Sequence, residues 1–139
     1  EGRFALFGEQ LSVRDVDLPV FAVACETDHI AAWKDSFRGV TRMGARDKTF
    51  VLSESGHIAG IVNPPSKRKY GHYTNPDVKG EAADWLAAAE FHEGSWWPLW
   101  GKWLASRSGK QVPARVPGGA GYPVLAQAPG TYVLEMTEG

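Results

Sequence analysis

Residues Leu18–Cys25 read LPVFAVAC, an apolar run without a polar interruption. Runs of this length and composition are typical of strands buried on both faces, as in a parallel sheet. A second short apolar run, Thr49–Leu52 (TFVL), follows after a segment of helical pattern. The succession of strand, helix and strand predicts an α/β fold.

Three segments have a helical pattern. Ile30, Trp33 and Phe37 recur at helical spacing, and Gly39 after them predicts the end of that helix. Glu81–His92 is predicted to be a second helix, with an apolar stripe. The third segment is rich in tryptophan.

The segment Gly94–Leu104 reads GSWWPLWGKWL and predicts a helix with Ser95 as its N-cap. Pro98 is compatible only with the first turn. Three tryptophans fall at i, i+4 and i+7 on one face: Trp96, Trp100 and Trp103. Either this face packs on the sheet, or it forms a stacking surface for a ligand or partner.

Bulk properties exclude several classes of protein. The chain has 139 residues, the length of about one domain, and a net charge of -1, which gives no indication of a nucleic-acid partner. No apolar run is long enough for a membrane span. The single cysteine, Cys25, excludes an internal disulfide framework and fits a reducing cytosol. Because the sequence opens at Glu1 without a methionine, we expect a segment of a longer chain.

Asp28 and His57 are the residues best placed to carry chemistry. Each follows a predicted buried strand, at its C-terminal end. In open α/β sheets this edge is where catalytic groups gather, so two neighbouring parallel strands would bring both loops together. Asp28 would then accept the Nδ1 proton of His57, and the other ring nitrogen would act as a general base.

A nucleophile for this pair is not apparent in the chain. No Gly-x-Ser-x-Gly or Gly-x-Cys-x-Gly elbow occurs, and Cys25 lacks the flanking glycines that such an elbow needs. Cys25 is predicted to be a small buried side chain. In α/β-hydrolases the order is nucleophile, acid, histidine, which would put the nucleophile before Glu1.

Other interpretations of the same residues stay open. His57 and Asp28 also fit a satisfied histidine and a capping aspartate. A metal site is a rival use of Asp28 and three histidines, although no tight ligand spacing supports it: His29, His57 and His72. The basic run Lys67–Lys69 fits a solvated turn or a contact to a phosphate-bearing substrate.

The motifs, taken in order, resemble those of a known family. They are TDHIAAW (27–33), SGHIAGIVNPP (55–65), YTN (73–75), GSWWPLWGKWL (94–104) and APGTYV (128–133). This series resembles the C-terminal end of polyhydroxyalkanoate synthases of the class I type, the polyester-making enzymes of bacterial storage granules. The likeness extends from about Leu18 to the C-terminus.

The resemblance implies an α/β-hydrolase fold, with residues 1–108 as the C-terminal part of the catalytic domain and 109–139 as a Pro/Gly-rich extended, irregular tail. It implies polymerisation of (R)-3-hydroxyacyl-CoA thioesters with release of CoA, through a cysteine outside this chain. Asp28 and His57 match the catalytic aspartate and histidine; Asp28 would orient His57 or activate the substrate hydroxyl. No cofactor or metal is implied.

The resemblance also implies partners and a location. The partners are the substrate, the growing polyester, the rest of the synthase chain and a second copy in a homodimer. The location is the cytoplasm, at the granule surface. Two other functions remain: an esterase or depolymerase of the same fold, and a non-catalytic module that binds granules or partners.

Overall fold

The computed structural model describes residues 4–119 and 121–136. The strands are β1 (Ala5–Leu6), β2 (Glu9–Gln10), β3 (Val20–Cys25), β4 (Lys48–Ser53), β5 (His72–Thr74) and β6 (Glu90–His92). The helices are α1 (Trp33–Arg42), α2 (Ala82–Ala87) and α3 (Trp97–Ala105). Short 3-10 turns lie at Val13–Asp15, Pro65–Lys67 and Tyr132–Leu134. The predicted α/β class is confirmed.

A four-stranded mixed sheet in the order β3-β4-β5-β6 organises the chain, while β1 and β2 form a separate antiparallel pair. β3 and β4 run parallel, with Val20 opposite Lys48 and Cys25 opposite Ser53. β5 pairs with β4 in the antiparallel direction, and β6 pairs with β5 in the same way. Because β3 and β4 end side by side, the loops that follow them leave from the same edge of the sheet.

The apolar core lies between the sheet and the helices α1 and α2. Its centre is a group of three buried rings, Phe37 of α1, Phe50 of β4 and Trp85 of α2, with centroids 5.1 to 5.4 Å apart. Burying one such side chain stabilises a fold by about 1.5–3 kcal/mol. This cluster therefore fixes both helices against the parallel strands.

The tryptophans of the third helical segment contact the opposite face of β3. Phe21 of β3 lies 6.3 Å from Trp96 and 5.7 Å from Trp103, measured between ring centroids. Trp96 is buried, whereas Trp100 is 42% exposed. The prediction that this face packs on the sheet therefore holds for Trp96 and Trp103, while Trp100 contacts the Trp96 ring and remains partly exposed.

The predicted helix Glu81–His92 is wrong in its second half. α2 ends at Ala87, and Glu90–His92 forms β6. The backbone of β6 pairs with β5, His92 opposite His72, so the sheet ladder satisfies groups that a longer helix would have bonded internally. Tertiary pairing here overrides a local helical pattern.

The bounds of α1 also differ from the prediction. The helix begins at Trp33, and Ile30 precedes it as an exposed residue. Gly39 does not end the helix, which continues to Arg42. The cost of an interior glycine, about 1 kcal/mol relative to alanine, is offset by the burial of Phe37 and Val40 on either side.

Residues Gly109–Gly139 cluster as a unit separate from Glu1–Ser108. Within its described residues, 109–119 and 121–136, the regular structure consists of a single bridge between Gly119 and Tyr122 and the turn at Tyr132–Leu134. Across the described part of the chain, no helix is long and apolar enough to cross a membrane.

Candidate active site

The loops after β3 and β4 are tied to each other by backbone hydrogen bonds. The amide of Glu26 donates to the carbonyl of Ser53 at 2.9 Å, and that of Thr27 donates to Ser55 at 3.0 Å. These bonds extend the parallel pairing beyond the strands. They hold the segment that carries Asp28 beside the segment that carries His57.

Asp28 and His57 are joined by a hydrogen bond. His57 Nδ1 lies 2.8 Å from Asp28 Oδ2. Because an ionised carboxylate has no proton to give, Nδ1 carries the hydrogen and donates it. The other carboxylate oxygen, Oδ1, accepts from the amides of Ile30 at 2.8 Å and Ala31 at 2.9 Å.

These contacts give the carboxylate a strongly stabilised charge. The amide of Ala31 contributes most, followed by the His57 ring, and together they lower the pKa of Asp28 from 3.8 to about 2. The side chain of Asp28 is only 6% exposed, while that of His57 is 47% exposed. The carboxylate is thus a fixed anion behind a ring whose edge is open to solvent.

The turn that carries His57, residues 54–62, is called the histidine turn, and it packs closely on Cys25 at Gly60. A Cβ added to Gly60 would lie 2.5 Å from Cys25 Sγ and 2.8 Å from the carbonyl oxygen of Glu54, so no larger residue fits without movement. A Cβ added to Gly56, in contrast, would lie at ordinary van der Waals distance from Thr27. The small residues around His57 therefore serve close packing at Gly60 more than access to the ring.

Cys25 is buried beneath this turn. It is 1% exposed, and this burial raises the pKa of its thiol, as does the negative charge of Asp28. A nucleophilic cysteine needs a lowered pKa and an exposed sulfur. The prediction that Cys25 is a small buried side chain is confirmed.

The rival metal residues are not gathered in one place. Asp28 and His57 are in contact, and His29, one residue after Asp28, is exposed. His72 lies in β5, with Nδ1 on the carbonyl oxygen of Gly94 at 2.9 Å and its ring 5.1 Å from that of His92. Burial lowers the pKa of His72. Among the described residues, no group of three or more His, Cys, Asp or Glu side chains is arranged to bind a metal.

The basic run lies on the surface, between the histidine turn and β5. Lys67, Arg68 and Lys69 are all exposed, and Arg68 adopts a left-handed backbone conformation after the turn Pro65–Lys67. Arg68 also lines a shallow cleft with Ser95 and Pro98. A contact to a phosphate-bearing substrate stays a prediction.

Two hydrogen bonds at the site were not predicted. The indole Nε1 of Trp96 donates to the carbonyl oxygen of Gly60 at 2.9 Å, and that of Trp97 donates to Ile61 at 3.0 Å. The sequence signalled the tryptophans only by their spacing on a helix face. A bond to a carbonyl 36 residues away leaves no pattern in the sequence.

Comparison with known proteins agrees with the motif series. A poly(3-hydroxyalkanoate) polymerase of Methylorubrum extorquens is 46% identical over 134 residues, 96% of this chain and 22% of that protein. The poly(3-hydroxyalkanoate) polymerase subunit PhaC of Rhizobium etli is 43% identical over 137 residues, 99% of this chain and 21% of its own length. The chain is thus similar to a segment of each of these polymerases.

The polymerase subunit PhaC of Cupriavidus necator is 39% identical over 134 residues, 95% of this chain and 22% of that protein. No family model matches the chain. The chain therefore spans about a fifth of the length of the curated polymerases that it matches. The resemblance to polyhydroxyalkanoate synthases is confirmed, and the catalytic roles of Asp28 and His57 stay predictions.

Proposed function

We propose that this chain is part of a polyester synthase, to which it supplies the catalytic aspartate and histidine. The nucleophile is a cysteine outside the chain, and the substrate is an (R)-3-hydroxyacyl-CoA thioester. The observation that carries the proposal is the 2.8 Å hydrogen bond between His57 Nδ1 and Asp28 Oδ2. It leaves Nε2 of a half-exposed ring as the basic nitrogen.

In the proposed acylation step, Nε2 of His57 takes the thiol proton of the cysteine. The thiolate attacks the thioester carbonyl, the bond to the CoA sulfur breaks, and the proton on His57 passes to the departing CoA thiolate. The product is an acyl thioester on the cysteine. The 3-hydroxyl of a second acyl-CoA then attacks that thioester while His57 accepts the hydroxyl proton. The bond to the cysteine sulfur breaks, the departing thiolate takes the proton back from His57, and the polyester is one unit longer.

Asp28 acts in this scheme by orienting His57 and stabilising its protonated form. The alternative, that Asp28 itself deprotonates the substrate hydroxyl, fits poorly because a carboxylate with a pKa of about 2 is a weak base. Both of its oxygens are also already engaged by the protein. Three hydrogen bonds would have to weaken before the carboxylate accepted a substrate proton.

The finer organisation is proposed on the same grounds. Residues 1–108 are assigned to the C-terminal part of an α/β-hydrolase domain, because the acid and histidine loops follow adjacent parallel strands. Residues 109–139 are its tail. The partners are the CoA thioester, the polyester, the rest of the synthase and a second copy of it, and the location is the granule surface in the cytoplasm.

The proposal is tested by replacing the base in the full-length synthase. His57→Gln removes the basic nitrogen, and we expect the rate of CoA release from hydroxybutyryl-CoA to fall by about 10²–10⁴-fold. The matched control is His29→Gln, which changes an exposed histidine one residue after Asp28. Turnover at the wild-type rate in the His57 variant would contradict the assignment of His57 as the base.

A further inference from the structure

His57 lies in a turn that is anchored at both ends. Upstream, the carbonyl of Ser55 accepts the amide of Thr27, which belongs to the loop of Asp28. Within the turn, the amide of Gly60 donates to Gly56 at 2.9 Å. Downstream, the anchors come from Trp96, which immediately precedes α3, and Trp97, the first residue of α3.

The downstream anchors are the two indole hydrogen bonds. Trp96 and Trp97 are consecutive, and their Nε1 atoms bond consecutive carbonyls, those of Gly60 and Ile61. Gly60 also accepts the hydroxyl of Ser53 at 2.9 Å, from the end of β4. The carbonyl three residues after His57 is therefore held by one donor from the sheet and one from the helix.

The two donors differ in their exposure to water, because the bond of Trp96 is buried whereas that of Trp97 lies at an exposed position. Trp96 is only 8% exposed and packs against Phe21 of β3, so its ring cannot swing away without disturbing the strand that leads to Asp28. A buried indole N–H that loses its acceptor is destabilising, because the donor is left without a hydrogen-bond partner away from water. The bond to Gly60 is therefore strongly favoured whenever α3 is docked on the sheet.

A general base must lie within hydrogen-bond reach of its substrate, and a displacement of about 1 Å can cost 10²-fold in rate. His57 projects from a turn rather than from a strand, with its ring half exposed. Its position is thus set by Asp28 at one point and by the anchors of the turn at the others.

We infer that Trp96 and Trp97 are positioning residues for His57, which they place through their bonds to Gly60 and Ile61. The inference rests on the proposed function of His57 as the base. It gives the tryptophan segment a role in catalysis without contact to the substrate. It also makes the docking of α3 a condition for an aligned acid–histidine pair.

The test uses Trp96→Phe and Trp97→Phe in the full-length synthase, because phenylalanine keeps a ring but has no N–H. Trp100→Phe is the matched control from the same helix, at a position that is 42% exposed. We expect the kcat for CoA release to fall by about 10–100-fold in the first two variants, with KM changed by less than about twofold. A kcat equal to that of Trp100→Phe in both variants would overturn the inference.

A double-mutant cycle separates positioning from a general loss of structure. If the tryptophans act through His57, Trp97→Phe should have no further effect on the residual rate of His57→Gln. The same fold-loss in both backgrounds would show a role independent of His57 and overturn the inference. If Trp96→Phe does not fold, the Trp97→Phe variant alone still decides the test.

A second readout does not depend on activity. The Nδ1 proton of His57, followed by NMR in histidine-labelled synthase, should shift and broaden in the Trp96 and Trp97 variants as its bond to Asp28 loosens. An unchanged signal in both would overturn the inference. Wild-type turnover in His57→Gln alone would instead overturn the proposed function, and the NMR signal would still decide whether the tryptophans position the ring.

Discussion

The carboxylate of Asp28 accepts hydrogen bonds from two backbone amides and one imidazole, and a neutral asparagine cannot accept all three with His57 in the same tautomer. Asparagine keeps one acceptor oxygen but puts an NH₂ group where the other oxygen was. That group would face either the Nδ1 proton of His57 or the amides of Ile30 and Ala31. The charge on Asp28, rather than its shape alone, therefore maintains the pair.

This charge predicts how stability depends on pH. The folded pKa of Asp28 is lowered from 3.8 to about 2, so the folded state favours the ionised form. The stabilisation is fully present above about pH 4 and is lost as the pH falls toward 2. We expect the difference in unfolding free energy between the wild type and Asp28→Asn to shrink over this range, as measured by urea titration. A difference that stays constant from pH 4 to pH 2 would contradict the prediction.

At the scale of elements, two glycines offer a comparison between close packing and open space. An added Cβ at Gly60 meets Cys25 Sγ at 2.5 Å and a backbone oxygen at 2.8 Å, whereas one at Gly39 in α1 meets nothing within 4 Å. Overpacking of this kind typically costs about 1–3 kcal/mol. Gly60 therefore fixes the distance between the histidine turn and the end of β3.

We expect Gly60→Ala to lower the free energy of unfolding by about 1–3 kcal/mol and to reduce turnover, because the turn must move off Cys25. Gly39→Ala should instead raise the free energy of unfolding by about 0.5–1 kcal/mol, because alanine has a higher helix propensity than glycine at an exposed position inside a helix. Urea unfolding of both variants measures the contrast. Equal free energies of unfolding for the two variants would contradict the prediction, because they would show that the histidine turn accommodates the added methyl group without destabilising the fold.

The sequence predicted the elements whose pattern is local. β3 and β4 appeared as apolar runs, and their parallel pairing followed from the helix between them, which brought Asp28 and His57 to one edge. β6 was missed because Glu90–His92 is a strand only through its pairing with β5. The indole bonds were missed because they join α3 to a turn that no periodicity connects with it.

The described part of the molecule has an open edge. β3 is the end strand of the four-stranded sheet and pairs, among the described residues, only with β4. Its unpaired backbone groups are a template for another strand. Since the polymerases that the chain matches are about five times longer, we propose that a strand from the rest of the synthase pairs with this edge.

The isolated 139-residue chain should therefore associate and lack activity. Its open β3 edge favours pairing between copies, so light scattering after size exclusion should give a mass above the 15.2 kDa of one chain.

The one cysteine of the isolated chain is buried with a raised pKa, so the chain should release no CoA from hydroxybutyryl-CoA. Mixing it with the rest of the synthase should then lower its self-association and restore turnover. A clean monomer at every concentration would contradict the open edge, and CoA release by the isolated chain would show that the nucleophile lies within it.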